Sequence, residues 1–140
     1  MIAYFDTSAI VPLVVDEGGT IAAREMWLGA DHLASVRLAR VEARAALAHA
    51  SRTGRISSEH LRSSTQHLEG LFVQLDLVDV DDEVVRQAAE LAETQALRAY
   101  DAVHLAAALQ VIEPDLVLVA GDRALLTAAE SVGVMVAAIR

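Results

Sequence analysis

Four acidic residues in this 140-residue chain stand where their type and spacing could do chemistry: Asp6, Glu42, Asp101 and Asp122. Asp6 and Asp122 each follow a short apolar run, Ile2 to Phe5 and Leu116 to Ala120, and each precedes a helix start. Asp101 stands at the mouth of the strongly apolar stretch Ala102 to Leu109. Glu42 has Leu38, Ala39, Ala45 and Ala46 three and four residues away, so a helix there sets its carboxylate in an apolar stripe. Desolvating an unpaired carboxylate is costly, so each of these groups needs a partner. For the three aspartates a helix N-cap is a sufficient account, since Asp is a favoured capping residue. For Glu42 the choice lies between an arginine, with Arg98 or Arg123 able to serve, and a divalent cation shared by all four carboxylates. Without such a cation, like charges so close repel and some stay protonated. Oxygen-only ligation suits Mg²⁺ or Mn²⁺ rather than zinc. Such a site hydrolyses phosphodiesters by positioning a water and neutralising transition-state charge, work that two ions ~4 Å apart can share. Thr7 and Ser8, next to Asp6, could orient a water or a phosphate oxygen, or simply cap a helix.

The elements that must position these residues can be read in order. Ile2 to Phe5 predicts a buried strand, and Asp6-Thr7-Ser8 a helix start. A short helix follows over Ala9 to Val15 with Pro12 in its first turn, and a second over about Ile21 to Leu28. His32 to Ser35 reads as a strand, and a long helix runs from Ser35 or the next residue to about Thr53, with Leu38, Val41, Ala45 and Ala48 on one face and Gly54 closing it. Ser57-Ser58-Glu59 opens another helix to about Leu75, Leu77 to Val80 is a strand, and Asp81-Asp82-Glu83 begins a helix to about Ala96. The apolar helix behind Asp101 ends at Glu113-Pro114-Asp115, before the strand Leu116 to Ala120. A helix to about Gly133 and a strand from Val134 to Ile139 complete the chain. Alternating strands and helices predict an α/β fold, a central, mainly parallel sheet of about five strands flanked by helices, in one domain over residues 1–140. In such a sheet ligands bind beyond the carboxyl ends of the strands, where Asp6 and Asp122 fall.

Composition narrows the classes. With 54% apolar residues the chain is not disordered, and it has core to bury with apolar surface left for a partner or a second copy. No apolar run approaches the ~18 residues of a membrane span. The start Met1-Ile2-Ala3-Tyr4-Phe5-Asp6 has no signal-peptide shape, so a cytoplasmic location is expected. Zero cysteines exclude disulfides, a thiol nucleophile and cysteine-ligated zinc. The net charge of −9 argues against nucleic acid until its distribution is considered. From Arg37 to Arg62 six arginines face Glu42 and Glu59, a local +4, whereas Glu69 to Glu93 carries a local −7.

The five histidines suggest ligands or bases, but only His104, three residues after Asp101, shares a helix face with a candidate acid. A packed histidine satisfied by backbone is the reading adopted for it. Trp27 reads as core or interface packing. No Gly-x-Ser-x-Gly elbow or glycine-rich phosphate loop is present.

Phe5-Asp6-Thr7-Ser8-Ala9, Val41-Glu42-Ala43-Arg44-Ala45-Ala46-Leu47, Tyr100-Asp101-Ala102-Val103-His104-Leu105-Ala106 and Val119-Ala120-Gly121-Asp122-Arg123-Ala124-Leu125, in this order and at these intervals, resemble a PIN-domain ribonuclease, specifically a VapC-type toxin of a toxin–antitoxin pair. The resemblance spans the chain from Ile2 to the terminal strand and is most specific around Asp101. It implies a PIN-like fold and an endoribonuclease dependent on Mg²⁺ or Mn²⁺. Its acidic site is Asp6, Glu42, Asp101 and Asp122, with Asp6 and Asp101 as the foremost metal ligands. It also implies growth arrest, a cognate antitoxin and a homodimer. The segment from Arg37 to Arg62, with Arg52 and Arg55 foremost, is then a candidate RNA-contacting surface, and the apolar early helices a candidate antitoxin groove. Two rivals remain: a phosphatase-like hydrolase with Asp6 as nucleophile, whose second aspartate would fall where Ser8 stands, and a non-catalytic α/β binding module.

Overall fold

Strand β1, Ile2–Phe5, is the centre of the molecule. It is apolar and largely buried, as a central strand must be, and it pairs in parallel with β2, His32–Val36, on one side and β4, Leu116–Ala120, on the other. A computed structural model describes residues 1–111 and 113–139 of the chain; Arg140, the last residue of the expected domain, lies outside them. Strands β3, Asp76–Val78, and β5, Met135–Ala138, complete a five-stranded, all-parallel sheet in the order β3-β2-β1-β4-β5. From β1 the chain first moves outward through β2 and β3, then crosses back to β4 and β5. The order therefore reverses between β1 and β4, and the crevice at their carboxyl ends is the expected ligand site of an open parallel sheet.

Among the described residues seven helices flank the sheet. Those before β3 are α1 (Thr7–Val14), α2 (Thr20–Gly29), α3 (Ala39–Arg52) and α4 (Ser58–Val73). Those after it are α5 (Asp82–Thr94), α6 (Ala99–Gln110) and α7 (Arg123–Ser131). Their extensive contacts fall into two groups, α1 with α2, α3 and α4, and α6 with α5 and α7. Tyr4, Phe5, Ile10, Leu47, Leu68, Leu105, Leu118 and Leu125 are fully buried between these layers. Each such side chain contributes about 1.5–3 kcal/mol by leaving water. Trp27 packs edge-on against Phe5 with centroids 5.2 Å apart, in keeping with a packing role.

Three expectations about local structure need correction. The long helix does not begin at Ser35: β2 continues through Val36, which pairs with Val78, and Ser35 is buried with its hydroxyl donating to the Phe5 carbonyl at 2.7 Å. Helix α3 starts at Ala39, and its buried face is Ala39, Ala43, Leu47 and Ala50 rather than the Leu38, Val41, Ala45, Ala48 stripe, of which Val41 is exposed. Alanine is small enough for either face, so the apolar spacing did not decide between them. Helix α1 begins at Thr7, which puts Pro12 inside it rather than in its first turn and removes the bond that would reach the Ser8 carbonyl.

Candidate active site

The four carboxylates are delivered to the crevice by four different elements. Asp6 ends β1 and caps α1: its Oδ2 accepts from the Ser8 amide at 3.1 Å and from the Ser8 hydroxyl. Asp122 follows β4 and caps α7, accepting from the Leu125 amide at 3.1 Å. Glu42 lies in the first turn of α3, and Asp101 in the first turn of α6. Negative charge is favoured in both places by the helix dipole. Asp101 is not the cap of its helix. That position belongs to Arg98, so capping does not account for this carboxylate.

The Asp6–Glu42 half is tightly bonded. Thr7 Oγ1 donates to Glu42 Oε1 at 3.0 Å. His104 Nε2 stands 2.8 Å from that same oxygen, 3.2 Å from Asp6 Oδ1 and 3.2 Å from Thr7 Oγ1. On its other side His104 Nδ1 meets the Tyr4 hydroxyl at 2.9 Å. The histidine is 1% exposed and is satisfied by side chains, not by backbone as its packed position suggested. Burial disfavours the imidazolium, but the Glu42 hydrogen bond and the charges of Asp6, Glu42 and Asp101 outweigh it and raise the pKa. Glu42 is thus paired with a histidine and a threonine, not with an arginine.

The Asp101–Asp122 half is looser. Arg98 lies between the two, with Nε 3.9 Å from Asp101 and Nη2 3.9 Å from Asp122, and its side chain is 87% exposed. The Asp101 pKa is raised, first by burial and then by Asp122 and Asp6, against the opposing pull of Arg98 and His104. Asp101 therefore feels the charge of two of the other three carboxylates. Among the described residues no three His, Cys, Asp or Glu side chains already stand in a metal-binding cluster. What fits a hard cation is the chemistry of the donors: carboxylate oxygens drawn to one crevice, one of them held in an unfavourably charged setting.

The two hydroxyls beside Asp6 have separate duties. Ser8 Oγ donates to Asp6 and accepts from the Gly121 amide at 2.9 Å, bracing the end of β1 against the turn after β4. Thr7 faces Glu42. An open cavity of about 720 Å³ adjoins the site, its lining shared by Thr7, Ser8 and Asp122 with Val11, Gly19 and Ile139. Gly19 is required there, since a Cβ would lie 2.3 Å from the Ile139 carbonyl oxygen. Arg55 reaches Glu17, also on the cavity wall, at 3.6 Å.

The basic segment is less positive in space than in sequence. Arg37 pairs with Asp79, and Arg40 and Arg44 share Glu69, so the acidic block folds onto much of it. Arg52 and Arg62 have no ion pair among the described residues.

A parallel sheet with acids gathered at its switch point defines a class of fold and site, and comparison with known proteins supplies the family. The PIN domain pattern matches residues 3–130. Ribonuclease VapC45 of Mycobacterium tuberculosis is 40% identical over 136 residues, covering 97% of this chain and 94% of that protein. The crystal structure of PAE2754 from Pyrobaculum aerophilum superposes with a TM-score of 0.69 at 25% identity, over 97% of this chain and 83% of that one. A toxin–antitoxin complex from Klebsiella pneumoniae shares the fold at 16% identity, with a TM-score of 0.68 over 99% and 98% of the two chains. The chain belongs to the PIN-domain family, among its VapC ribonucleases.

Proposed function

We propose that this protein is a toxin of the VapC kind, an endoribonuclease that hydrolyses RNA phosphodiester bonds at the Asp6, Glu42, Asp101 and Asp122 crevice with Mg²⁺ or Mn²⁺. The observation that carries the reading is the setting of Asp101, a first-turn carboxylate that is not a cap and whose pKa is raised by burial and by Asp122 and Asp6. A cation relieves that charge. Asp6 and Asp101, with Glu42 and Asp122, would hold it; when bound it polarises a phosphoryl oxygen and makes a bound water more acidic. The chain's own residues supply the rest. Thr7 and His104 keep Glu42 turned toward Asp6, Ser8 fixes Asp6 against the β4 turn, and the adjoining cavity, with Asp122 in its lining, is the place proposed for the nucleotide strand. Arg52 at the end of α3 and Arg55 at the cavity rim are the phosphate contacts in this reading.

The partners follow from the same reading. Exposed Ile21 and Leu28 on α2 offer apolar surface to an antitoxin, and exposed Val85 and Tyr100 on α5 and α6 offer it to a second copy of the chain. The compartment proposed is the cytoplasm, where the RNA substrate is. RNA ends sequenced after induction of wild type and of Asp101→Asn test the chemistry side by side. New ends are expected with wild type alone; equal cleavage by both refutes the reading.

A further inference from the structure

We infer that His104 is a positioning residue for this reaction, its Nε2–H donated to Glu42 Oε1 while Asp6 Oδ1 lies 3.2 Å from the same nitrogen, so that two carboxylates from different elements are gathered around one ring. The inference rests on the ribonuclease reading above and adds to it a residue outside the acidic quartet.

The geometry leaves little choice of roles. A carboxylate oxygen accepts, so Nε2 must carry hydrogen. The Tyr4 hydroxyl on Nδ1 is compatible with this whether the ring is neutral, with the phenol donating, or protonated, with the phenol accepting. Tyr4 is itself fully buried on β1, so the ring is clamped from behind by the strand that carries Asp6. His104 comes from α6, Glu42 from α3 and Asp6 from the end of β1. The ring therefore ties the two groups of helices together at the point where two like charges face each other. Without a donor at that point the carboxylates would repel and turn apart. Hydrogen-bonded supports of this kind set the orientation of ligand carboxylates, and their loss typically costs about 10–100-fold in metal affinity or activity. His104 need not touch RNA to have this effect.

The test uses the intact chain, with MnCl₂ titrated calorimetrically, RNA cleavage resolved into kcat and KM, and melting followed in chelator. His104→Phe keeps the buried ring and removes both nitrogens. It is expected to weaken Mn²⁺ binding about 10–100-fold and lower kcat by a similar factor while KM for RNA stays near wild type. His104→Gln, which keeps an N–H near the place of Nε2, is expected to recover most of both losses. A folded His104→Phe variant with wild-type Mn²⁺ affinity and kcat overturns the inference, as does a His104→Gln variant no better than His104→Phe. Should His104→Phe not fold, Tyr4→Phe decides: several-fold losses in affinity and kcat support the clamp, and unchanged values overturn it. Asp101→Asn is the control that separates the two levels. If it cleaves RNA like wild type the ribonuclease reading falls; if it is inactive while His104→Phe is normal, only the role of His104 falls.

Discussion

The two halves of the acidic crevice are built on opposite principles. Asp6 and Glu42 sit in a mesh of hydrogen bonds from Ser8, Thr7 and His104, with Asp6 4% exposed. Asp101 and Asp122 face each other across an exposed arginine at 3.9 Å from both. The first half is pre-organised, because Asp6 Oδ2 and Glu42 Oε1 each have donors already in place. The second stores unfavourable charge, because the Asp101 carboxylate is desolvated and surrounded by its own kind. In the proposed reading, where the site grips a cation and a phosphate, it gains from both. The bonded half fixes position, and the strained half supplies the electrostatic drive that a bound cation satisfies.

The largest test of this division is Asp101→Asn. Removing one proposed ligand from the strained half is expected to reduce RNA cleavage about 10²–10³-fold. The same change is expected to stabilise the protein in chelator, by a few degrees at most in melting temperature. The sign follows from the raised pKa. The folded state holds the Asp101 proton more firmly than the unfolded chain, so stability is lost as pH rises above the ordinary carboxylate range through the folded value, and asparagine has no such loss. Asp6→Asn, in the bonded half, is expected to lose activity to a similar degree and to lose stability as well, since asparagine can keep the cap to Ser8 but sets an amide N–H against His104 Nε2 where Oδ1 stood. Differential melting of the two variants at neutral pH checks the contrast. If both stabilise or both destabilise, the halves are not distinct.

The bonded half was the harder one to read from sequence. Asp6 and Asp122 were legible because each follows an apolar run, and the parallel sheet puts the ends of such runs at one edge. Asp101 and Glu42 were legible as carboxylates against apolar neighbours. The partner of Glu42 was not, because helix spacing relates His104 only to Asp101, three residues away, whereas the contacts it makes are 62 residues from Glu42 and 100 from Tyr4 in sequence. Local periodicity carries no information about which of several helix faces will meet across a sheet edge. The same limit explains the misread face of α3, where alanines on both sides left no size contrast, and the basic segment, whose neutralisation by Glu69 and Asp79 needed the fold to reveal it.

A smaller effect comes from Thr7→Val, which keeps the shape of the side chain and removes the donor to Glu42. Cleavage is expected to fall about tenfold and stability by about 1 kcal/mol, read by initial rates and urea unfolding. His104 still holds Glu42, so a loss as large as that of Asp101→Asn would mean that Thr7 contacts the substrate directly. In the strained half the corresponding support is Arg98, and Arg98→Gln is expected to change cleavage by no more than about threefold at physiological salt, as exposed ion pairs are weak. A drop of two orders of magnitude would promote Arg98 from spectator to phosphate contact.

The smallest change lies at the joint that serves both halves. Helix α6 carries Asp101 for one and His104 for the other, and the chain enters it through Ala96, an exposed non-glycine residue at φ 52° just after the cap of α5. A left-handed alanine costs about 1–2 kcal/mol relative to its preferred backbone, and glycine is the residue favoured at this place after a helix. Ala96→Gly also loosens the unfolded chain, at about 0.4–1 kcal/mol. The balance leaves about 0.5 kcal/mol in favour of glycine, or ~2 °C in melting temperature. Mn²⁺ affinity and kcat are expected to stay unchanged, because neither the Arg98 cap nor the first turn of α6 depends on the Ala96 side chain. If affinity falls instead, the rigidity of this joint is itself part of how α6 holds one acid tightly and leaves the other under strain.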